Sequence, residues 1–347
     1  MTERSKPLWP PRAPTPQPAA ERSPVAPAPR GAASAPAARP GATGAAATPT
    51  VSSVQSARQV ITDALRRIDT GTREFEFTAD DFERVRALIY KRAGISLSAA
   101  KQDMVYSRLA RRLRARGLRR FGEYLDLLER THDETEWEGF VNALTTNLTS
   151  FFREAHHFEM LAEQMRRSAD RRPFRIWCNA ASTGEEPYSL AITACEVFGN
   201  NPPVEIVASD LDTSVLAHAQ KGIYTPDRVE RLSRERIQRF FTNAPAEAPG
   251  AWRVKPELTR LVSFRQINLL APTWPLREGF DAIFCRNVMI YFDKPTQYRI
   301  LQRFVSMLQP RGLLYAGHSE NFIHAAQLFR SLGRTVYARA DQPAPPP

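Results

Sequence analysis

The sequence predicts an α/β protein in which a small all-helical domain precedes a parallel sheet covered by helices on both faces. Between residues 75 and 165, apolar residues recur at the three- to four-residue spacing of amphipathic helices. From residue 174 onward, short apolar runs alternate with helical stretches, which is typical of buried parallel strands. The first fifty residues are rich in Pro and Ala and lack the large apolar residues that a core requires.

These patterns divide the chain into three parts. Residues 1–70 are predicted to form a disordered Pro/Ala-rich tail and linker, residues 75–165 the helical domain, and residues 170–340 the α/β domain. Between about residues 223 and 262 the alternation of strands and helices stops, which predicts an inserted small β-subdomain. This subdomain is expected to contain one amphipathic helix over residues 229–241 and a short strand.

The individual elements follow from the same patterns. A capping-box-like start at Thr78 and Asp81 and a stop at Gly94 delimit the first helix. Further helices are predicted over residues 98–117, 124–129, 137–144 and 153–165. Five parallel strands are predicted at residues 174–178, 204–208, 261–264, 280–285 and 312–316, with an antiparallel edge from 327–331 and 335–338.

Composition limits the class of protein. The chain has 347 residues and a formal net charge of +11, which favours an acidic partner. Cys178, Cys195 and Cys285 are widely spaced, which argues against a disulfide framework or a zinc site and predicts reduced, buried thiols. Neither a signal peptide nor an apolar stretch of roughly 20 residues occurs, so a soluble cytoplasmic protein is expected.

Polar residues follow the carboxyl ends of the predicted strands, where open parallel sheets bind ligands. The turn after the first strand carries Glu185 and Glu186, which would repel a phosphate, and the chain has no GxGxxG or GxxxxGK pattern. Asp210 follows the second strand, 26 positions after Gly184, near the offset at which a carboxylate meets ribose hydroxyls. Taken singly, each residue also fits a plain helix cap. Together they favour a positively charged nucleoside without phosphate, and S-adenosyl-L-methionine fits.

Five strings carry a family resemblance: "TTNLTSFFRE", "ASTGEEPYSLAI", "ASDLDTSVL", "FDAIFCRNVMIYFD" and "GLLYAGHSENF". Over about residues 75–340 the chain resembles the bacterial chemotaxis receptor glutamate methyltransferases. The resemblance implies a helical N-terminal domain joined to a Rossmann-like, S-adenosylmethionine-dependent methyltransferase domain. It also implies methyl transfer to glutamate side chains of chemoreceptor cytoplasmic helices during receptor adaptation, with glutamyl methyl esters and S-adenosyl-L-homocysteine as products and no metal.

The family's functional residues can be matched to this sequence by position. The resemblance then implies that Arg153 and Tyr291 lie nearest the transferred methyl group. The implied cofactor contacts are Asn147, Thr149, Arg153, Glu186, Asp210, Asn268, Leu269, Asn287 and Val288. A glutamate carboxylate is already ionised at neutral pH, so methyl transfer to it needs no general base. Arg153 and Tyr291 are therefore expected to orient the acceptor carboxylate.

A basic helix supplies the predicted docking surface. The segment "SRLARRLRARGLRR" places Arg108, Arg111 and Arg112 along one side of a helix, which by itself also fits an ordinary solvated face. The resemblance implies that this face docks on a glutamate-rich receptor bundle. The stretch "FTNAPAEAPGAWRV" has Ala and Pro where relatives that tether to a receptor's C-terminal pentapeptide are glycine-rich, so such tethering is not expected. The protein is expected to be a monomer that neither binds nucleic acid nor inserts into a membrane.

Two rival functions remain open at this stage. The basic charge also suits a nucleic-acid methyltransferase, although Asn287 is followed by Val-Met-Ile and not by the Pro-Pro-Tyr/Phe of adenine amino-methylating enzymes. A non-catalytic, cofactor-sensing scaffold would share the fold. His156 and His157 are predicted to be exposed helix residues, because adjacent helical side chains point about 100° apart and do not readily share a metal.

Overall fold

The computed structural model describes residues 73–131, 133–168 and 173–342. The predicted tail over residues 1–70 lies outside these residues. In the described part of the chain, four packed helices come first, and alternating strands and helices follow.

The helical domain consists of α1 Ala79–Ala93, α2 Gln102–Arg116, α3 Phe121–Thr131 and α4 Glu134–Leu144. The predicted capping box is confirmed, since the backbone N–H of Thr78 donates to Asp81 at 2.9 Å and that of Asp81 donates to Thr78 at 3.0 Å. The helix ends at Gly94, whose φ of 69° suits a residue without a Cβ. The apolar stripes of α1 and α2 meet α3 and α4 in one buried core.

The helix after the helical domain begins later than predicted. Helix α5 spans His156–Arg167, so the predicted start at residue 153 is wrong. Phe152 and Glu154 have φ values of 51° and 57°, which are left-handed and incompatible with a continuous right-handed helix. The chain therefore makes a tight turn before α5, and this turn presents Arg153.

A seven-stranded mixed sheet forms the second part of the chain. Its strands and main helices are β1 Phe174–Cys178, α6 Glu185–Phe198, β2 Val204–Asp210, α7 Thr213–Lys221, then β6 Val262–Gln266, β7 Phe280–Cys285, α11 Lys294–Met307, β8 Leu308–Ala316, β9 Phe329–Ser331 and β10 Val336–Arg339. The strand order is β6-β2-β1-β7-β8-β10-β9, with five parallel strands and an antiparallel edge from β10 and β9. Strand order reverses between β1 and β7, where such sheets bind ligands.

The insertion between α7 and β6 is a small antiparallel subdomain. It contains β3 Ile223–Tyr224, α8 Pro226–Val229, α9 Arg234–Phe240, β4 Phe241–Asn243, β5 Trp252–Val254 and α10 Pro256–Thr259. The strands pair in the order β3-β5-β4. The single helix predicted over residues 229–241 is wrong in extent, because Ser233 caps a new helix by accepting a hydrogen bond from the N–H of Arg236 at 3.2 Å.

Helices cover both faces of the sheet. Alternate side chains along β1 point to opposite faces, so Ile176 packs with α6 and Trp177 packs with α11. The indole N–H of Trp177 donates to Ser209 at 2.9 Å, which satisfies its one polar group in the core. This architecture confirms the predicted fold class. The three cysteines are free and buried, as predicted.

Within residues 73–131, 133–168 and 173–342, the structure has no helix whose length and apolar character suit the crossing of a bilayer.

Candidate active site

A cavity of about 370 Å³ opens at the carboxyl ends of the parallel strands, a volume within the usual range of small-molecule sites. Its wall is formed by the loop after α1, by the connecting segment (residues 145–155, between α4 and α5), and by the turns after β1, β2 and β7. Eight predicted site residues line it: Asn147, Thr149, Arg153, Glu186, Asp210, Asn287, Val288 and Tyr291.

The connecting segment is fixed by a buried helix cap. Asp212 caps α7 and is almost fully buried, and it also accepts hydrogen bonds from Asn147 at 2.8 Å and from Thr145 at 2.7 Å. The carbonyl of Asn147 accepts a hydrogen bond from the hydroxyl of Ser182 at 3.0 Å. The side chain of Asn147 therefore holds the cavity wall together, in addition to lining it.

The two carboxylates of the first turn have different surroundings. Glu185 is fully buried and does not line the cavity; it pairs with Arg228 of α8 and accepts a hydrogen bond from Thr183 at 2.6 Å. Glu186 lines the cavity and accepts hydrogen bonds from Arg286 and from the thiol of Cys178. The interpretation that both carboxylates face a cationic ligand is therefore wrong for Glu185, which joins the turn to the inserted subdomain.

Asp210 lies at the end of β2 with its carboxylate held in place. Its oxygens accept hydrogen bonds from the backbone N–H groups of Ser182 at 2.8 Å and Asp212 at 3.0 Å. Burial raises the pKa of Asp210 to about 6, against the opposing effect of those backbone hydrogen bonds.

The turn after β7 is clamped by a side chain from the loop that follows the fifth parallel strand. Asn287 has a left-handed φ of 59°. Glu320 is 4% exposed, and its carboxylate accepts hydrogen bonds from the backbone N–H groups of Asn287 and Val288 at 2.9 Å and of Met289 at 2.7 Å. Burial raises the pKa of Glu320, and these hydrogen bonds oppose that shift. The signal in the sequence was an acidic residue in the loop after the fifth parallel strand.

Arg286 is the central buried cation of the site, and its neighbours in the sequence do not indicate this role. Its guanidinium is fully buried and donates to Glu186 and to the carbonyl of Arg153. A second carboxylate, that of Glu154, lies 3.4 Å away. Arg286 therefore ties the turn after β1, the connecting segment and the turn after β7 together.

Three buried polar atoms of two side chains at the cavity wall lack a hydrogen-bond partner among the described residues. Both amide atoms of Asn179 and the Nε atom of Arg286 are buried without a hydrogen-bond partner there. Both residues line the cavity. Buried polar groups are rarely left unpaired, so these atoms fit a polar ligand that supplies both donors and acceptors. The nucleoside and amino-acid groups of S-adenosylmethionine meet this requirement.

Tyr291 is brought to the cavity by a short 3₁₀ turn and is covered by the helical domain. Its carbonyl accepts a hydrogen bond from the N–H of Ser96 at 2.8 Å. Beside it, the side chains of Leu148 and Ile290 are exposed at the cavity mouth.

Asn268 and Leu269 lie outside the cavity wall. The amide of Asn268 donates to the carbonyl of Arg92 at 3.0 Å and accepts from the N–H of Leu270 at 2.9 Å. Leu269 is 6% exposed and packs in the core beside α11. Their roles as cofactor contacts stay predictions from the resemblance.

The three predicted docking arginines are not equivalent. Arg108 donates to the carbonyl of Thr145 at 2.6 Å, at the end of α4. Arg112 binds the buried carboxylate of Glu136 through two hydrogen bonds of 3.0 and 2.6 Å. Burial alone would raise the pKa of Glu136, but hydrogen bonds from Arg112, Tyr124 and Arg116 outweigh the effect of burial and lower the pKa. Arg111 is exposed and makes no hydrogen bond or ion pair with the described residues, so of the three arginines it is the one available to a partner.

The prediction that His156 and His157 are exposed helix residues is wrong for His157, which is fully buried at the start of α5. Its Nε2 lies 3.0 Å from the carbonyl of Arg334. Burial and the positive charge of Arg286 lower the pKa of His157 to about 4, so its imidazole is neutral at pH 7.

Comparisons with known proteins identify the family that the chain resembles. Residues 80–145 match the family described as "CheR methyltransferase, all-alpha domain", and residues 147–338 match "CheR methyltransferase, SAM binding domain". The chain is 55% identical to "Chemotaxis protein methyltransferase 2" of Pseudomonas aeruginosa, over 78% of this chain and 96% of that protein. It is 52% identical to "Chemotaxis protein methyltransferase" of Escherichia coli strain K12, over 74% of this chain and 90% of that protein.

The turn after β1 should not tolerate a Cβ at Gly184. Gly184 has a φ of 98°, and an added Cβ would lie 2.6 Å from the hydroxyl of Tyr224 and 2.9 Å from the Cβ of Ala219. Gly117→Ala is the matched control, because Gly117 has a φ of 66° and open space around it. We expect Gly117→Ala to lower the free energy of unfolding by about 1 kcal/mol and Gly184→Ala by roughly 3 kcal/mol, measured by chemical denaturation. Equal losses would contradict the steric argument.

Proposed function

The chain belongs to the CheR methyltransferase family, and from this premise we propose that it methylates glutamate side chains of chemoreceptor cytoplasmic helices. The methyl donor is S-adenosyl-L-methionine, and the products are glutamyl methyl esters and S-adenosyl-L-homocysteine. The observation that supports this best is the arrangement of Arg153, Glu186, Asp210 and Tyr291 around one cavity at the switch point of the sheet.

The wall offers both acidic and basic groups to a cofactor that carries ribose hydroxyls, a sulfonium, an ammonium and a carboxylate group. S-adenosylmethionine, when bound, supplies an electrophilic methyl group. Asp210 lines the cavity at the end of β2, and we propose that it accepts hydrogen bonds from ribose hydroxyls, as an acidic residue after a second strand does in other nucleoside sites. Glu186 supplies a carboxylate whose charge is shared with Arg286, and the unpaired atoms of Asn179 and Arg286 offer further polar contacts.

The acceptor needs alignment more than activation. A glutamate carboxylate is ionised at neutral pH, so no residue has to remove a proton from it. Its negative charge diminishes as the new bond forms, and excluding water from the cavity therefore favours transfer. Tight binding of the acceptor carboxylate would stabilise the reactant as well as the transition state. Arg153 and Tyr291 therefore act by orienting the carboxylate. Arg153 is itself held by a 2.8 Å hydrogen bond to the carbonyl of Leu148.

The exposed cations of the helical domain suit an acidic partner. Lys101 lines the cavity mouth, and Arg111 lies further along α2. Opposite charges steer association and make it sensitive to salt. We propose that this face meets the acidic receptor bundle at the cytoplasmic side of the membrane, and that the chain acts as a monomer without pentapeptide tethering. A nucleic-acid methyltransferase is not favoured, because the relatives are chemotaxis methyltransferases.

The ester product distinguishes this function from its rivals. The protein is incubated with methyl-labelled S-adenosylmethionine and chemoreceptor cytoplasmic fragments. We expect label on the fragments that mild alkali releases as methanol, and little label on fragments in which the target glutamates are replaced by glutamine. Arg153→Ala should lower the rate at least about 100-fold, since orientation supplies much of the rate. Label that survives alkali would contradict ester formation, and label on DNA supplied in a parallel incubation would favour the nucleic-acid alternative.

The pKa of Asp210 predicts a pH dependence of cofactor affinity. Ribose hydroxyls donate to the ionised carboxylate, which with a pKa of about 6 is mostly protonated at pH 5 and mostly ionised at pH 7. Affinity for S-adenosylhomocysteine should therefore be about tenfold weaker at pH 5 than at pH 7. Isothermal titration calorimetry measures this, and Asp210→Asn should bind weakly with little change over the same pH range. If Asp210→Asn kept the wild-type loss of affinity between pH 7 and pH 5, the assignment of this pH dependence to Asp210 would be refuted.

A further inference from the structure

A cluster of charged and imidazole side chains lies beside the cavity, and all of its members except Arg286 have no part in the proposed chemistry. Its centre is Glu154, whose side chain is 12% exposed. One carboxylate oxygen of Glu154 accepts hydrogen bonds from the backbone N–H of His318 at 3.3 Å and from its Nδ1 at 3.0 Å. The other oxygen lies 3.4 Å from Arg286 and 3.6 Å from Nδ1 of His157.

The backbone on both sides of Arg153 is left-handed, at Phe152 and Glu154. Residues with a Cβ rarely adopt this conformation, and they keep it only where surrounding contacts hold it. Phe152 is held on one side, because its N–H donates to Ser189 at 2.9 Å and its ring packs under the guanidinium of Arg236 at 3.9 Å. On the other side, the contacts of Glu154 hold the turn.

A metal site is the other interpretation of this cluster. Glu154, His156 and His157 each bring a potential ligand atom within 4.8 Å of the others. The fully buried guanidinium of Arg286, however, already places a positive charge beside the carboxylate oxygen that a metal would use. The other oxygen is held by His318. The arrangement therefore fits a carboxylate that is neutralised by protein groups.

We propose that Glu154 is a positioning residue for methyl transfer: its carboxylate anchors the left-handed turn to Arg286 and to the His318 loop, and the anchored turn directs Arg153 into the cavity. The inference rests on the proposed function, in which Arg153 orients the acceptor carboxylate. Arg286 reinforces the anchor, because the same guanidinium donates to the carbonyl of Arg153. Two loops that are distant in the sequence thereby set the direction of one side chain.

A double-mutant cycle tests the proposal. The variants are Glu154→Gln, Arg153→Ala and the double variant, and the control is Glu163→Gln, an exposed α5 carboxylate that pairs with Arg167. We expect Glu154→Gln to lower kcat about tenfold while changing the affinity for S-adenosylhomocysteine less than about threefold. In the Arg153→Ala background, the same change should lower kcat no further, because Glu154 acts through Arg153. Glu163→Gln should match the wild type.

The outcomes separate this inference from the proposed function. Losses that multiply in the double variant, or an unchanged kcat in Glu154→Gln, would overturn the positioning role alone. Full activity of Arg153→Ala would overturn the role of Arg153 and the inference with it. Thermal unfolding checks that each variant folds. If Glu154→Gln fails to fold, His318→Ala replaces it in the cycle, because the His318 side chain is 67% exposed. A loss of kcat in His318→Ala that is smaller than the one expected for Glu154→Gln, and that is absent in the Arg153→Ala background, supports the proposal. A loss that persists in that background refutes it.

Discussion

The buried guanidinium of Arg286 is the interaction on which the geometry of the site depends. It lies at the end of β7 and reaches Glu186 in the turn after β1, the carbonyl of Arg153, and the carboxylate of Glu154. A buried charge is costly unless it is paired and hydrogen-bonded; the two carboxylates pair with the charge, and Glu186 and the carbonyl of Arg153 accept its hydrogen bonds. Since a guanidinium donates in fixed directions, it sets the relative positions of the groups it binds. Methyl transfer depends on such alignment more than on acid–base chemistry.

The sheet explains why these segments meet. Five parallel strands point their carboxyl ends to one edge, and the reversal of strand order between β1 and β7 opens a crevice there. The helical domain covers the crevice, with Ser96 bonded to the backbone of Tyr291 and Tyr90 bonded to Asp293 at 2.6 Å. Glu185 binds the inserted subdomain to the turn beside Glu186. The cavity is therefore assembled from the helical domain, the connecting segment and the turns after β1, β2 and β7.

The sequence predicted the parts of this structure that depend on local pattern. The helical cap at Thr78, the parallel strands and the polar residues after β1 and β2 follow from spacing and turn chemistry, and the structure contains them. The pattern did not reveal contacts between distant residues. Glu185 faces the subdomain, and Glu320 clamps a turn more than 30 positions away. His157 is buried because α5 packs on the sheet, which its neighbours in the sequence do not indicate.

The most direct test of the role of Arg286 is calorimetric titration of Arg286→Lys with S-adenosylhomocysteine. Lysine keeps the positive charge, but a single ammonium group does not reproduce the directional contacts to Glu186 and the carbonyl of Arg153. With folding verified by circular dichroism, the affinity should fall at least about tenfold relative to the wild type, since the wall of the cavity loses its alignment. An unchanged affinity in a folded Arg286→Lys protein would contradict the account.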